Sequence, residues 1–232
     1  MDEHLLQLKH DQYQRLIGAG AFPKTFKGVV AHIIALSQDP NTSARDLAAI
    51  VSSDPAISSK VLTVVNSPFY GLSSEVYSLA QAITLLGFEE ARRIALSVSI
   101  FEGFRRSDTQ ELLRIWKHSI CTAVFARMLG EQNRRFEAEA YTTGLLHDVG
   151  KILVYSVKPQ AVRSVLNEYR YSRGKMTYLE VENKLLGIDH TWIGYCAACQ
   201  WNLPLVMREA VLSHHDPHLS TSHASKILLF EV

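Results

Sequence analysis

The chain has 232 residues, enough for one large domain or two small ones. Apolar residues make up 47% and charged residues 20%, a globular balance with ample material for a core. With 24 basic residues against 23 acidic ones, a formal charge of +1 gives no electrostatic case for nucleic acid or an anionic membrane.

No apolar run reaches the length that spans a bilayer, and the start carries no positive-then-apolar signal pattern, so a cytoplasmic protein is expected. Arg92-Arg93, Arg105-Arg106 and Arg134-Arg135 read as solvated helix ends. Three cysteines are too few for a disulfide framework. Cys196 and Cys199 form a C-x-x-C inside a helical pattern, with no second pair to complete a zinc site, and read as small buried residues.

Nearly every segment has helical periodicity. Leu5, Leu6, Leu8, Tyr13, Leu16 and Ile17 predict a leading helix ending at Gly18. Pro23 opens a helix carrying Phe26, Val29, Val30, Ile33 and Ile34, broken at Asp39-Pro40. Ser43 with Asp46 is a capping box, and Asp54-Pro55 is an N-cap with proline at the first helical position. The helix after Pro55 stops near Asn66-Ser67-Pro68. Ser78 opens a segment closed by Gly87, and Glu89-Glu90 charge the first turn of the next helix.

A polar break at residues 105–109 is the candidate seam between an N-terminal lobe (1–106) and a C-terminal lobe (107–232), expected to pack together. Helices follow from about Asp108 to Leu129, Thr143 to Tyr155 and Pro159 to Tyr171. Thr177 with Glu180 caps another, and His190–Gln200 and Pro204–His215 complete the series. A last helix near Ser220 runs to Val232, as though cut. With no strand alternation, phosphate loop or internal repeat, the expectation is an all-α fold.

The stretch Thr143–Tyr155 is where chemistry concentrates. It sets His147 beside Asp148 in an apolar helix, with Lys151 one turn on. Imidazole next to carboxylate is a mixed N/O pair suited to a first-row divalent ion. Of ten histidines, His118, His147, His190, His214 and His215 stand beside apolar residues where they can converge with Asp148. His4, His10, His32, His218 and His223 carry no functional weight. A two-metal hydrolase needs about five to eight N/O ligands and a bridging carboxylate, which this set matches in number. One or two divalent transition metal ions (Fe, Mn, Zn or Ni) therefore suit the pocket. The competing reading is a metal-free hydrogen-bonded pair that ties helices together, with Lys151 paired to Asp148.

Gly144-Leu145-Leu146-His147-Asp148-Val149-Gly150-Lys151 resembles the signature of the HD superfamily of metal-dependent phosphohydrolases. The wider pattern is similar to the HDOD family, an HD-related output domain of bacterial signalling proteins. It runs through Asp54-Pro55-Ala56, Asn66-Ser67-Pro68-Phe69-Tyr70-Gly71, Ala82-Ile83-Thr84-Leu85-Leu86-Gly87 and Trp116-Lys117-His118-Ser119, and closes with Trp201-Asn202-Leu203-Pro204 and His214-His215.

The resemblance implies metal ligation by His118, His147, Asp148, His190, His214 and His215, with Asp148 bridging. It implies that Lys151 contacts substrate phosphate if the protein is an enzyme. Two departures stand out. Asp216-Pro217-His218 follows His214-His215 with no Gly-Tyr-Pro motif, and the last helix offers only Glu231 where HD hydrolases close their site with aspartate.

The expected function is a signalling output or scaffold domain without catalysis, acting on sensor, receiver or cyclic-nucleotide-related partners. The alternative is a metal-dependent phosphohydrolase or phosphodiesterase acting on a cyclic or linear nucleotide.

Overall fold

Caps and breakers cut the chain into helices close to where the sequence marks them. A computed structural model describes residues 3–18, 26–36, 41–104, 110–132 and 137–220, and no strand occurs among them. Pro23, the seam at 105–109, Arg134-Arg135, the helix expected near the end and Glu231 lie outside the described residues. Two compact units emerge, residues 23–105 and residues 1–22 with 106–232.

In the unit of residues 23–105, a π-helical turn at Phe26–Val30 leads into α2 (Ala31–Leu36). It is followed by α3 (Ala44–Ser52), α4 (Pro55–Val65), α5 (Leu79–Leu86) and α6 (Phe88–Phe104). Both halves of the Ser43/Asp46 capping box form, and the Asp54 carboxylate accepts from the Ala56 and Ile57 amides. Gly87 closes α5 at φ 85°, a backbone region that costs glycine nothing. Ile33, Leu47, Ile57, Val61, Val65, Leu96 and Ile100 make the core. The Asn66 side chain clips the loop after α4. Its amide donates to the Val76 carbonyl at 2.8 Å, and its oxygen accepts from the Val76 amide at 2.8 Å. Arg92 departs from the solvated helix end expected of it: it is fully buried, bound to Glu89 Oε2 at 2.8 Å across one turn.

The other unit packs α1 (Glu3–Ile17) with α7 (Gln110–Gln132), α8 (Glu137–Leu146) and α9 (Val149–Val157). The remaining members are α10 (Pro159–Ser172), α11 (Tyr178–Leu186), α12 (His190–Gln200) and α13 (Leu205–Ser213). The sequence groups α1 with the residues that follow it, whereas here it belongs with α9 and α12. Tyr13 and Ile17 supply the reason: both are buried, and the Tyr13 hydroxyl donates to Gln200 Oε1 at 3.3 Å.

Backbone approaches through glycine bring the site-bearing helices together. A Cβ on Gly144 would stand 2.8 Å from the Ala123 Cα of α7, and one on Gly194 would stand 2.7 Å from a Val211 methyl of α13. A Cβ on Gly150 of α9 would overlap the His190 carbonyl oxygen of α12.

Candidate metal centre

His147 and Asp148 do not sit inside one helix, as the sequence suggests. α8 ends at Leu146 and α9 begins at Val149, so the pair forms an elbow, with Asp148 at φ −96° and ψ 13°. That sparsely populated bridge conformation recurs at turns and functional sites. Every residue from 141 to 150 is buried, so apolar periodicity carries no mark of the break. The elbow aims both side chains at one point, which a continuous helix would separate by about 100°.

The imidazoles arrive from four places, and three of them, His147, His190 and His214, are fixed by their far nitrogens. His147 Nδ1 donates to the Gly144 carbonyl at 2.8 Å, and His214 Nδ1 to the Val211 carbonyl at 2.8 Å. His190, at the N-terminus of α12, sets Nδ1 2.5 Å from Glu182 Oε2, which also accepts the His190 amide at 3.0 Å. In each case Nδ1 is spoken for and Nε2 turns inward, the arrangement by which outer carboxylates and carbonyls orient metal-binding histidines.

Around the Asp148 carboxylate the inward atoms form two groups. Oδ2 faces His118 Nε2 at 3.7 Å, His147 Nε2 at 3.5 Å and Lys151 Nζ at 2.7 Å. Oδ1 faces His190 Nε2 at 3.3 Å and His214 Nε2 at 3.5 Å. His215 Nε2 lies 3.1 Å from His190 Nε2. Two sets result, His118/His147/Asp148 and Asp148/His190/His214/His215, with the ligand atoms of each within 4.8 Å of one another. Ligand atoms about 2.1 Å from a common ion stand roughly 3.0–3.4 Å apart, and the spacings here, from 3.1 to 3.7 Å, lie within a few tenths of an ångström of that range.

Charge and burial sharpen the demand. Burial alone would raise the Asp148 carboxyl, but His190, His214 and the Lys151 ammonium outweigh it and hold the group well below the ordinary carboxylate range. Burial pushes His147 down to about 4 despite Asp148 beside it, and burial with His214 and His190 does the same to His215. His190 moves up: burial opposes its charged form, yet Asp148 and Glu182 outweigh that.

The nitrogen His190 Nε2 thus meets Asp148 Oδ1, His214 Nε2 and His215 Nε2 together; the carboxylate oxygen and His214 Nε2, whose ring proton is spent on Val211, are already two acceptors for one proton. Asp148 Oδ1 is buried with no well-aligned hydrogen bond, its nearest candidate donors being the His190 and His214 Nε2 atoms at 3.3 and 3.5 Å. A buried oxygen left bare is costly, and a divalent ion is the group that would satisfy it and the inward nitrogens at once. The residues present fit such an ion.

The structure therefore gathers all six ligand candidates and Lys151 in one place. Glu182 is the member that sequence reasoning overlooks. Its only signal is an acid next to the core residue Val181 on α11, and the neighbouring Glu180, spent on the Thr177 capping box, looks the same. The Lys151 ammonium also lies over the Tyr178 ring, 5.2 Å from its centroid.

A sequence-family model, the HDOD domain, matches residues 24–217, most of the chain. The chain belongs to the HDOD domain family. Solved HDOD-like structures share the fold. A Geobacter sulfurreducens HDOD domain protein of unknown function superposes with a TM-score of 0.81 at 22% identity, over 99% of this chain and 76% of the other. A candidate signal transduction protein from Marinobacter aquaeolei gives 0.80 at 23% identity, over 97% and 54%. A candidate phosphohydrolase from Shewanella amazonensis gives 0.72 at 21% identity, over 97% and 78%. At such identities the likeness is one of fold. A curated but uncharacterized protein of Treponema pallidum (strain Nichols) is 25% identical over 184 residues, 78% of this chain; the match spans only 35% of that relative. The HDOD chain is all-helical among its described residues, and none of its helices is long and apolar enough to cross a membrane.

Proposed function

We propose that this HDOD chain is a signal-transduction output domain whose histidine/aspartate pocket binds one or two divalent transition metal ions. His118, His147 and Asp148 would hold one ion, and Asp148, His190, His214 and His215 the other, with Asp148 bridging. The observation that carries this reading is the convergence of Asp148 Oδ1, His214 Nε2 and His215 Nε2 on His190 Nε2, at least two acceptors and a third ring nitrogen about a single buried nitrogen. A metal-free knot would need one proton to serve two acceptors.

A signalling role is favoured over hydrolysis by the ligand count. Asp148 is the only carboxylate in either cluster among the described residues, and Glu182 is taken up by His190. Sensor, receiver or cyclic-nucleotide-related domains are the partners to test.

The experiment is metal analysis of purified protein by mass spectrometry, followed by titration of Mn, Fe, Ni and Zn into stripped protein. The expected result is one to two ions per chain, lost in Asp148→Asn. Wild-type protein that takes up none would end the proposal.

A second reading, metal-dependent phosphohydrolase, is favoured by Lys151 and the cavity beside it. Divalent ions there would supply Lewis-acid neutralisation of a phosphoryl group. Lys151 would add a fixed positive charge at that edge. Turnover of generic phosphoesters or cyclic dinucleotides by metal-loaded protein, abolished in Lys151→Ala, would decide for it.

A further inference from the structure

At the edge of the centre marked by His118, Asp148 and Lys151 lies a cavity of about 260 Å³. Its walls come from α7 and α10, and its far side from Tyr178. On α7, Arg114 stands four residues before His118 and so on the same face. On α10, Val162, Leu166 and Arg170 recur at intervals of four, an apolar stripe ending in a cation. With Ile115 they give an apolar floor and a basic mouth.

The two arginines differ from the ion-paired arginines of the chain. Arg92, Arg93 and Arg127 each hold a glutamate. Neither Arg114 nor Arg170 has a side-chain ion pair or hydrogen bond among the described residues, although Glu111 also borders the cavity. Lys151 is already engaged, at 2.7 Å from Asp148 Oδ2 and against the Tyr178 ring. Among the described residues, the positive charge at this site that has no partner is therefore on two guanidinium forks. Those are the donors whose geometry matches the oxygens of a phosphate.

Size limits the rest of the ligand. Clefts for drug-sized molecules run to roughly 300–1,000 Å³, and at about 260 Å³ this one suits a single phosphate and one small group better than the two bases of a cyclic dinucleotide.

We propose that the cavity binds a phosphomonoester. Arg114 and Arg170 clamp the dianion, and a small apolar or planar group lies on Ile115, Val162 and Leu166. The proposal rests on the metal-binding reading above only for the phosphate's contact with the His118/Asp148 edge. The arginine clamp and the floor are independent of it.

Calorimetry on the full 232-residue chain, metal-loaded and chelator-stripped, tests it with phenyl phosphate, inorganic phosphate and cyclic di-GMP. Phenyl phosphate is expected to bind about tenfold tighter than inorganic phosphate, because it alone covers the apolar floor. Cyclic di-GMP is expected to show no competition. Arg114→Gln and Arg170→Gln should each weaken phenyl phosphate about tenfold or more, while metal content and helicity stay as in wild type. Lysine at either position should recover part of the loss, since it keeps the charge but not the fork.

Unchanged affinity in both glutamine variants would overturn the proposal, as would cyclic di-GMP binding as tightly as phenyl phosphate. If metal binds but phenyl phosphate does not, the cavity assignment alone fails. If no metal binds, the proposed function fails, and the arginine dependence in stripped protein still decides for or against the clamp.

Discussion

Replacing Gly150 with alanine tests how closely the metal centre depends on the crossing of α9 and α12. The new methyl would overlap the His190 carbonyl oxygen, stand 2.8 Å from the His190 carbonyl carbon and 3.0 Å from the Gly194 amide nitrogen. Non-bonded carbon atoms rest at about 3.5–4.0 Å, so the two backbones must part by on the order of 1 Å. Because the clash is with backbone, no rotamer change relieves it. Overpacking of this kind costs about 1–3 kcal/mol, offset by about 0.5–1 kcal/mol from replacing a helical glycine. The net loss of stability is therefore modest, on the order of 1–2 kcal/mol, which lowers Tm by roughly 2–8 °C in a chain of this size.

The effect on metal should be larger. Ligand distances in a working site hold within about 0.2 Å, and the displaced carbonyl belongs to His190 itself. We expect Gly150→Ala to lose at least tenfold in metal affinity by calorimetry while its circular dichroism remains helical. Gly28→Ala, where an added Cβ meets nothing within 4 Å, is the control and should keep wild-type affinity with stability equal to or up to about 1 kcal/mol above wild type. A Gly150→Ala protein that binds metal like wild type would refute the claim that the helix crossing sets the position of His190.

Three further outcomes follow from the same geometry. Glu182→Gln removes the charge that anchors His190 Nδ1 and should reduce metal affinity about 10–100-fold, read by competition with a chromogenic chelator; an unchanged constant would strip Glu182 of its orienting role. In chelator-stripped protein, His147 titrates near 4 when folded and at its ordinary 6.5 when unfolded, so between those values the unfolded chain takes the extra proton. Stability should then fall by roughly 3 kcal/mol as pH drops from 6.5 to 4. His190, shifted upward, acts in the window above 6.5 instead. Urea melts across pH should show His147→Asn with a flatter acid limb, and equal slopes would contradict the assignment. Finally, Cys121 is exposed, whereas burial and then Cys199 push the Cys196 thiol up to about 12. Iodoacetamide with mass spectrometry should label Cys121 in native protein and Cys196 only after unfolding.

Local chemistry made much of this protein legible from its residues. Helix starts at Ser43, Asp54, Ser78 and Thr177 follow from side chains that cap their own backbone within three residues, so sequence alone specifies them. The six ligand candidates could likewise be nominated from their residue types and apolar neighbours, although each such histidine alone is more often a hydrogen-bonded core residue, and it is the structure that brings them together. What the sequence could not carry is any relation between elements distant along the chain. The break at His147-Asp148 is hidden because residues 141–150 are buried on every side, leaving no polar face to set the register. α1 joins the unit of residues 106–232 through Tyr13 and Gln200, a pairing across 187 positions that no local pattern encodes. Glu182 acquires its role only once α11 lies against the start of α12, and Arg114 and Arg170 face one cavity only because α7 and α10 do. Sequence thus determined which groups are present and where helices begin. Tertiary packing alone, through glycine-permitted backbone contact, decided which of those groups meet around Asp148.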